Sequence, residues 1–102
     1  MHRQGLSKLE RLWLKSNNVT DAGIVHLKGM KNLKELWLDK TKVTDAGLEH
    51  LQGLTKLEEL WLNSTNVTDA GIVHPKGMKN LKELWLDKIK VTDAGLEPLH
   101  LL

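Results

Sequence analysis

The sequence contains 102 residues, of which 40% are hydrophobic and 27% are charged, a balance typical of a single soluble folded domain. Its formal net charge of +2 is too small to indicate a nucleic acid or a membrane surface as a partner. The absence of cysteine excludes disulfides, thiolate catalysis and cysteine-based zinc sites. Because the sequence has neither a run of ~18 apolar residues nor the apolar stretch of a signal peptide, we expect a cytoplasmic protein.

The dominant feature of the sequence is a period of 24 residues. Tryptophan recurs at positions 13, 37, 61 and 85, and the segment Val-Thr-Asp-Ala-Gly begins at positions 19, 43, 67 and 91. Alternate units are nearly identical, so the deeper period is 48 residues. A fixed period of this size is typical of one supersecondary unit that is repeated and stacked. We therefore predict a single array over residues 1–102, with a partial unit at 1–12 and units at 13–36, 37–60, 61–84 and 85–102.

Each unit contains a predicted strand followed by a predicted helix. In the second full unit, residues 36–38 read Leu-Trp-Leu, an alternation that predicts a half-buried strand with both leucines inward and Trp37 outward. Thr44 is a suitable helix N-cap, and Asp45 in the first turn suits the positive end of the helix dipole. The pattern therefore indicates alternating strands and helices along the whole array.

The apolar positions of each unit follow a specific spacing. The second full unit reads Leu33-x-x-Leu36-x-Leu38-x-x-Thr41-x-Val43, which matches the pattern L-x-x-L-x-L-x-x-N-x-L with threonine at the asparagine position. In this pattern the chain resembles the leucine-rich-repeat family over essentially its whole length, and its helix half is similar to bacterial-type and cysteine-containing repeats. The resemblance implies an α/β solenoid of about four turns, with a parallel concave β-sheet, short convex helices and no evident caps.

Three substitutions depart from this pattern. Pro75 replaces an inward-facing leucine, so we expect the third helix to be short or irregular. Pro98 is expected to act similarly in the fourth unit. Ile89 occupies the position whose polar side chain normally binds backbone groups of the loop, so we expect the last turn to be looser.

The outward-facing tryptophans form the first candidate site. One tryptophan per strand produces a row, because neighbouring strands lie ~4.8 Å apart. The indoles could stack only on each other and on the stems of Lys34 and Lys40, or they could form a recognition surface for a protein or peptide. We favour recognition, because tryptophan is enriched at binding hot spots and a contiguous exposed apolar row requires an explanation. The row consists of Trp13, Trp37, Trp61 and Trp85.

Charged residues form two further rows on the same predicted face. One row alternates in sign and consists of Glu10, Lys34, Glu58 and Lys82. The other row consists of Arg11, Glu35, Glu59 and Glu83, so that its last three members repel one another. We interpret both rows mainly as a solvated face, with selection of a basic partner by the acidic row as the alternative. The three glutamates are therefore included in the candidate protein-binding site.

The sequence does not indicate catalysis. It contains no nucleophile–base pair and no glycine-rich phosphate loop, so we predict a non-enzymatic protein without cofactor or metal. The repeated aspartates at positions 21, 45, 69 and 93 are interpreted as helix-terminal residues, and the histidines at 26, 50 and 74 as surface residues. Six basic and seven acidic side chains lie on the predicted concave face, which argues against nucleic acid as a partner. No membrane partner is predicted.

The two ends of the array indicate an alternative function. Solenoids need capping units, and both ends here carry ordinary apolar repeat positions. These are Leu6, Leu9, Leu12 and Leu14 at one end and Leu99, Leu101 and Leu102 at the other. Because position 102 is in phase with positions 54 and 6, a second copy would continue the repeat. The alternative is therefore a self-assembling structural protein, a homo-oligomer that stacks head to tail into a filament or closes as a dimer.

Overall fold

Short strands and short helices alternate in the computed structural model, which describes residues 8–15 and 18–92. The strands are β1 (Arg11–Trp13), β2 (Glu35–Trp37), β3 (Glu59–Trp61) and β4 (Glu83–Trp85). The helices are α1 (Asp21–Ile24), continued by the 3-10 turn Val25–Gly29, α2 (Asp45–Glu49) and α3 (Asp69–Lys76). In the described part of the chain, the strands form one parallel sheet in the order β1-β2-β3-β4. This architecture confirms the predicted α/β solenoid.

The strands pair in a register of one repeat unit. Residues 11–13 lie beside residues 35–37, which lie beside residues 59–61 and then 83–85. The ladder continues past each strand, since the Leu38 amide donates to the Trp61 carbonyl at 2.8 Å and the Leu62 amide donates to the Trp85 carbonyl at 2.9 Å. Equivalent side chains of successive units therefore lie next to one another in columns that cross the sheet.

The leucines that alternate with the tryptophans form the core. Leu36, Leu38, Leu60 and Leu62 are all 0% exposed, whereas Trp37 lies half-buried on the other face of the sheet. The helices close this core from the opposite side with Ile24, Leu48 and Ile72. Full burial of each aliphatic side chain contributes about 1.5–3 kcal/mol. The strand alternation predicted from the sequence is thus confirmed in β2 and β3.

The conserved spacing of aspartate and threonine connects each helix to the next unit. The Asp45 carboxylate accepts hydrogen bonds from the backbone N–H of Thr68 at 2.7 Å and from its hydroxyl at 2.5 Å. Asp21 binds Thr44 and Asp69 binds Thr92 in the same manner. The aspartates therefore have the structural role expected, but they act between units. Of the three threonines that precede the helices, only Thr44 also accepts a capping bond, from Ala46.

Buried threonines fill the asparagine position of the repeat. The Thr41 hydroxyl donates to the Leu38 carbonyl at 2.7 Å, and the Thr65 hydroxyl donates to the Leu62 carbonyl at 2.8 Å. Ile89 cannot make this bond, and it packs against the core instead. The preceding residue, Lys88, nevertheless has the left-handed φ of 58° that Lys40 has at 61°. The last turn therefore keeps the backbone conformation of the others, contrary to the looser turn that we expected.

The expectation of a short third helix is wrong. Helix α3 contains Pro75 and spans eight residues, which makes it the longest of the described helices. Pro75 lies one residue before the end of the helix and its ring is buried in the inward position. The equivalent Leu51 donates one short-range bond, to Leu48, so proline removes a single donor near the helix end. Pro98 lies outside the described residues.

We predict that the aspartate bridges require glycine at the third position of the following helix. An alanine Cβ at Gly71 would overlap the Asp45 carboxylate and approach its Cα to 2.9 Å. Gly71→Ala should therefore destabilise the protein by about 1–3 kcal/mol in urea denaturation.

Gly23 is the matched control, since an added Cβ there has no neighbour within 4 Å. Gly23→Ala should leave the free energy of unfolding unchanged or raise it by up to ~1 kcal/mol, because alanine favours helix. Equal losses of stability in both variants would contradict this account of the bridges.

Candidate functional site

The four tryptophans form a continuous stack on the exposed face of the sheet, here called the tryptophan column. The ring centroids of Trp37 and Trp61 are 4.1 Å apart with an interplanar angle of 20°, and those of Trp61 and Trp85 are 4.2 Å apart with an angle of 10°. Trp13 lies 5.1 Å from Trp37 and is tilted by 35°. The parallel register causes this stacking, because it places one indole on each strand at the same height.

Stacking leaves different parts of each indole open to solvent. Trp37 and Trp61 have a neighbouring ring on both faces, so only their edges are available to a partner. Trp13 and Trp85 are 59% and 43% exposed, respectively. The expected packing of lysine stems from Lys34 and Lys40 is not what covers the stack, since the ammonium group nearest to a ring is that of Lys15, 4.7 Å from the Trp37 centroid. A partner would therefore contact ring edges and the two outer faces.

A row of glutamates, here called the glutamate column, runs beside the tryptophan column. Glu35, Glu59 and Glu83 are neighbours in the strand register, as predicted. Each indole nitrogen donates a hydrogen bond to this row. Trp13 and Trp37 both donate to Glu35 at 2.7 Å, Trp61 donates to Glu59 at 3.2 Å, and Trp85 donates to Glu83 at 3.2 Å. The sequence analysis missed these bonds, although the spacing Glu-x-Trp on a strand places both side chains on one face.

The charges of the face are compensated only at one end. Arg11 lies 3.7 Å from Glu35, and Lys34 lies 3.9 Å from Glu10, which confirms the predicted sign alternation for that pair. In the described part of the chain, neither Glu59 nor Glu83 forms an ion pair. An open cleft of about 240 Å³ adjoins the columns. It is lined by Glu10, Arg11, Lys34, Glu35, Glu58 and Glu59, so acidic groups predominate.

The remaining predicted site residues lie at the outer strands or outside the description. Leu9, Leu12 and Leu14 are half-buried, whereas their counterparts one unit later are fully buried. Leu6, Leu99, Leu101 and Leu102 lie outside the described residues. Of the three histidines, His74 contacts the Gln52 side chain of the preceding unit. Among the helices in the described ranges, none has the length and apolar character needed to cross a membrane.

The glutamate column should lower the stability of the fold through like-charge repulsion. Glu59→Gln removes one charge between two neighbours and retains a carbonyl oxygen that can accept the Trp61 bond, so we expect a gain of about 0.2–1 kcal/mol in urea denaturation at low salt. Glu83→Gln, which has a single described neighbour in the column, should give a smaller gain. Both gains should vanish at ~1 M salt, where screening acts over about 3 Å. Loss of stability in Glu59→Gln at low salt would contradict this prediction.

Known proteins share this arrangement of strands and helices. The family model described as Leucine Rich repeats (2 copies) matches residues 7–53 and 55–98. The crystal structure of an internalin (inlF) from Listeria monocytogenes is 22% identical, with a TM-score of 0.60, and the match covers 94% of this chain and 33% of that chain. Leiomodin-1 Actin-Binding Site 2 is 19% identical, with a TM-score of 0.71, and the match covers 97% of this chain and 66% of that chain.

These identities show a shared fold alone, and the chain spans less than two thirds of the internalin and about two thirds of the leiomodin chain. No match is found among curated proteins. The family model, in contrast, covers most of the sequence in two consecutive copies. The chain therefore belongs to the leucine-rich-repeat family.

Proposed function

We propose that this protein is a non-catalytic binding module that captures a protein or peptide on its concave sheet, through the tryptophan and glutamate columns. Leucine-rich-repeat modules are typically non-catalytic and typically bind proteins. The observation that carries the proposal for this particular face is the continuous indole stack, whose edges and outer faces remain open to solvent.

The stack is well suited to binding because its geometry is already set in the free protein. Neighbouring rings and the glutamate bonds hold the inner indoles, so a partner orders few additional side-chain torsions. Side-chain ordering otherwise costs about 0.5–1.5 kcal/mol for each immobilised flexible side chain. Large rigid aromatic surfaces are also where binding energy concentrates in protein interfaces. The column therefore combines apolar contact area with a low entropic cost of association.

The chemistry of the face favours a basic segment of the partner. Glu59 and Glu83 each use one carboxylate oxygen for an indole and have no cation beside them in the described structure. A lysine or arginine of the partner would relieve the repulsion within the glutamate column and could lie against the outer face of Trp85. Cations bind indole faces with about 0.5–2 kcal/mol.

The test uses peptides selected by display from a random library against the immobilised protein and then labelled for fluorescence anisotropy. Trp85→Ala should weaken the selected peptides by about 30-fold or more, since loss of a hot spot costs about 2 kcal/mol or more. Trp85 is preferable to Trp61 because it loses one stacking contact rather than two.

Val73→Ala provides the matched control, because Val73 is 51% exposed on helix α3, away from the sheet. It should change affinity by less than about twofold. Selected peptides that bind equally well to Trp13→Ala, Trp85→Ala and the parent would refute the concave site.

A second candidate is self-assembly through the outer strands. It is favoured by the incomplete burial of Leu12 and Leu14 on β1 and of Leu84 and Leu86 at β4, whose counterparts in β2 and β3 are fully buried. A second copy that added its β1 to β4 would bury these leucines and continue the tryptophan column. Such a heterologous contact does not close, so it would produce filaments.

Sedimentation velocity and thermal unfolding of the 102-residue polypeptide over a wide concentration range test this candidate. Assembly predicts a sedimentation coefficient and a melting temperature that rise with concentration. Leu14→Glu should abolish both effects, whereas Val25→Glu on the exposed helix side should preserve them. A monomer with a constant melting temperature at every concentration would exclude assembly.

A further inference from the structure

The tryptophan column combines the two features needed to move single electrons along a protein. Its rings are in van der Waals contact, with centroid separations of 4.1 Å and 4.2 Å between Trp37, Trp61 and Trp85. Each indole N–H also donates to a carboxylate, which can take up a proton. Overlapping π-systems allow an electron to pass between neighbours, and a proton acceptor at each ring stabilises the oxidised state.

The composition of the chain concentrates this chemistry on the column. Indole is oxidised more readily than the aliphatic and charged side chains, and the sequence has no tyrosine, phenylalanine or cysteine to compete with its four tryptophans. Loss of one electron makes the indole N–H strongly acidic. A carboxylate at hydrogen-bond distance can then accept that proton, which leaves a neutral indolyl radical beside a neutral glutamic acid.

Local charge assigns the oxidised state to one part of the column. Glu59 and Glu83 are negative and lie beside Trp61 and Trp85, so they lower the energy of a positive charge on these rings. Lys15 lies over Trp37 and disfavours such a charge there. Trp13 is also tilted by 35°, which reduces its overlap with Trp37. The inner edge of the relay is therefore Trp37, and its open entrance is the exposed face of Trp85.

We propose that the tryptophan column is a one-electron relay, in which a one-electron oxidant at Trp85 removes an electron and the resulting radical moves along the stack to Trp61 and Trp37. In the first step the oxidant gains one electron, Trp85 loses it, and the Nε1 proton passes to Glu83. In each later step an electron moves from the next indole to the radical. The proton returns from the first glutamate to its own indole as the next indole releases its proton to its own glutamate, so charge and protons balance. This activity does not depend on any binding partner.

The absence of cysteine allows an oxidant to be placed at one position. In Lys82→Cys, a tris(bipyridine)ruthenium label can be attached beside the Trp85 end of the column, because residue 82 is exposed and adjoins Glu83. Light and a soluble electron acceptor convert the label to ruthenium(III), the one-electron oxidant. Indolyl radicals then combine with dioxygen, and peptide mass spectrometry identifies the oxygenated tryptophans.

The relay predicts oxygenated products at Trp61 and Trp37 as well as at Trp85, in proportions independent of protein concentration. Trp61→Phe should interrupt the column, so products at Trp37 should be lost while those at Trp85 remain. Trp13→Phe is the matched control and should leave products at the other three positions. Products confined to Trp85 in the labelled parent, or products at Trp37 that persist in a folded Trp61→Phe protein, would overturn the proposal.

Transient absorption provides a readout that does not require removal of a ring. The parent should form the neutral indolyl radical. Glu59→Gln combined with Glu83→Gln retains an oxygen to accept each indole bond but cannot take up the proton, so this variant should show the radical cation instead. The same neutral-radical spectrum in both proteins would show that the glutamates are not the proton acceptors and would refute the coupled mechanism.

Discussion

Side chains on the sheet of this protein lie beside their own counterparts one unit away, because the parallel strands pair in a register of 24 residues. The register is reinforced on the helix side by the bond pair that Asp45 makes with the amide and hydroxyl of Thr68. A one-residue slip of any strand would place leucines on the solvent face and indoles in the core. The backbone ladder and the aspartate bridges therefore exclude the same error from two sides of the solenoid.

Columns of identical residues are favourable or unfavourable according to their chemistry. Leucines fill the core, and indoles stack at about van der Waals separation. Glutamates in the same register repel one another, and like charges directly opposite across strands destabilise a sheet. The indole N–H groups partly offset this repulsion, because each donates to a carboxylate of the glutamate column. The apolar and acidic columns are therefore one hydrogen-bonded structure.

The sequence predicts those features that depend on the repeat alone. Period and alternation are sufficient for the strand positions, the parallel sheet, the inward leucines and the outward tryptophans. The partners of individual side chains depend on distances across units, which spacing within one unit does not reveal. For this reason Asp45 was expected to serve its own helix, although it bridges to Thr68. The effect of Pro75 was also overestimated, because a proline near a helix end removes only one donor and its buried ring replaces the missing leucine.

The two periods of the sequence act differently on the same face. The 48-residue alternation gives Glu10 and Lys34 opposite charges across adjacent strands, and they pair at 3.9 Å. The acidic column follows the 24-residue period, so Glu59 and Glu83 carry the same charge and have no ion pair in the described structure.

Two residues of the first strand region make the face asymmetric. Arg11 stands where the later units have glutamate, and Lys15 stands where they have aspartate or asparagine. Arg11 pairs with Glu35 and Lys15 lies over Trp37, so the positive charge is confined to the β1 end. The β4 end combines uncompensated carboxylates with the most nearly parallel pair of indoles. An array of nearly identical units thereby acquires a direction, and both binding of a basic segment and entry of an oxidising equivalent are favoured at the β4 end of the sheet.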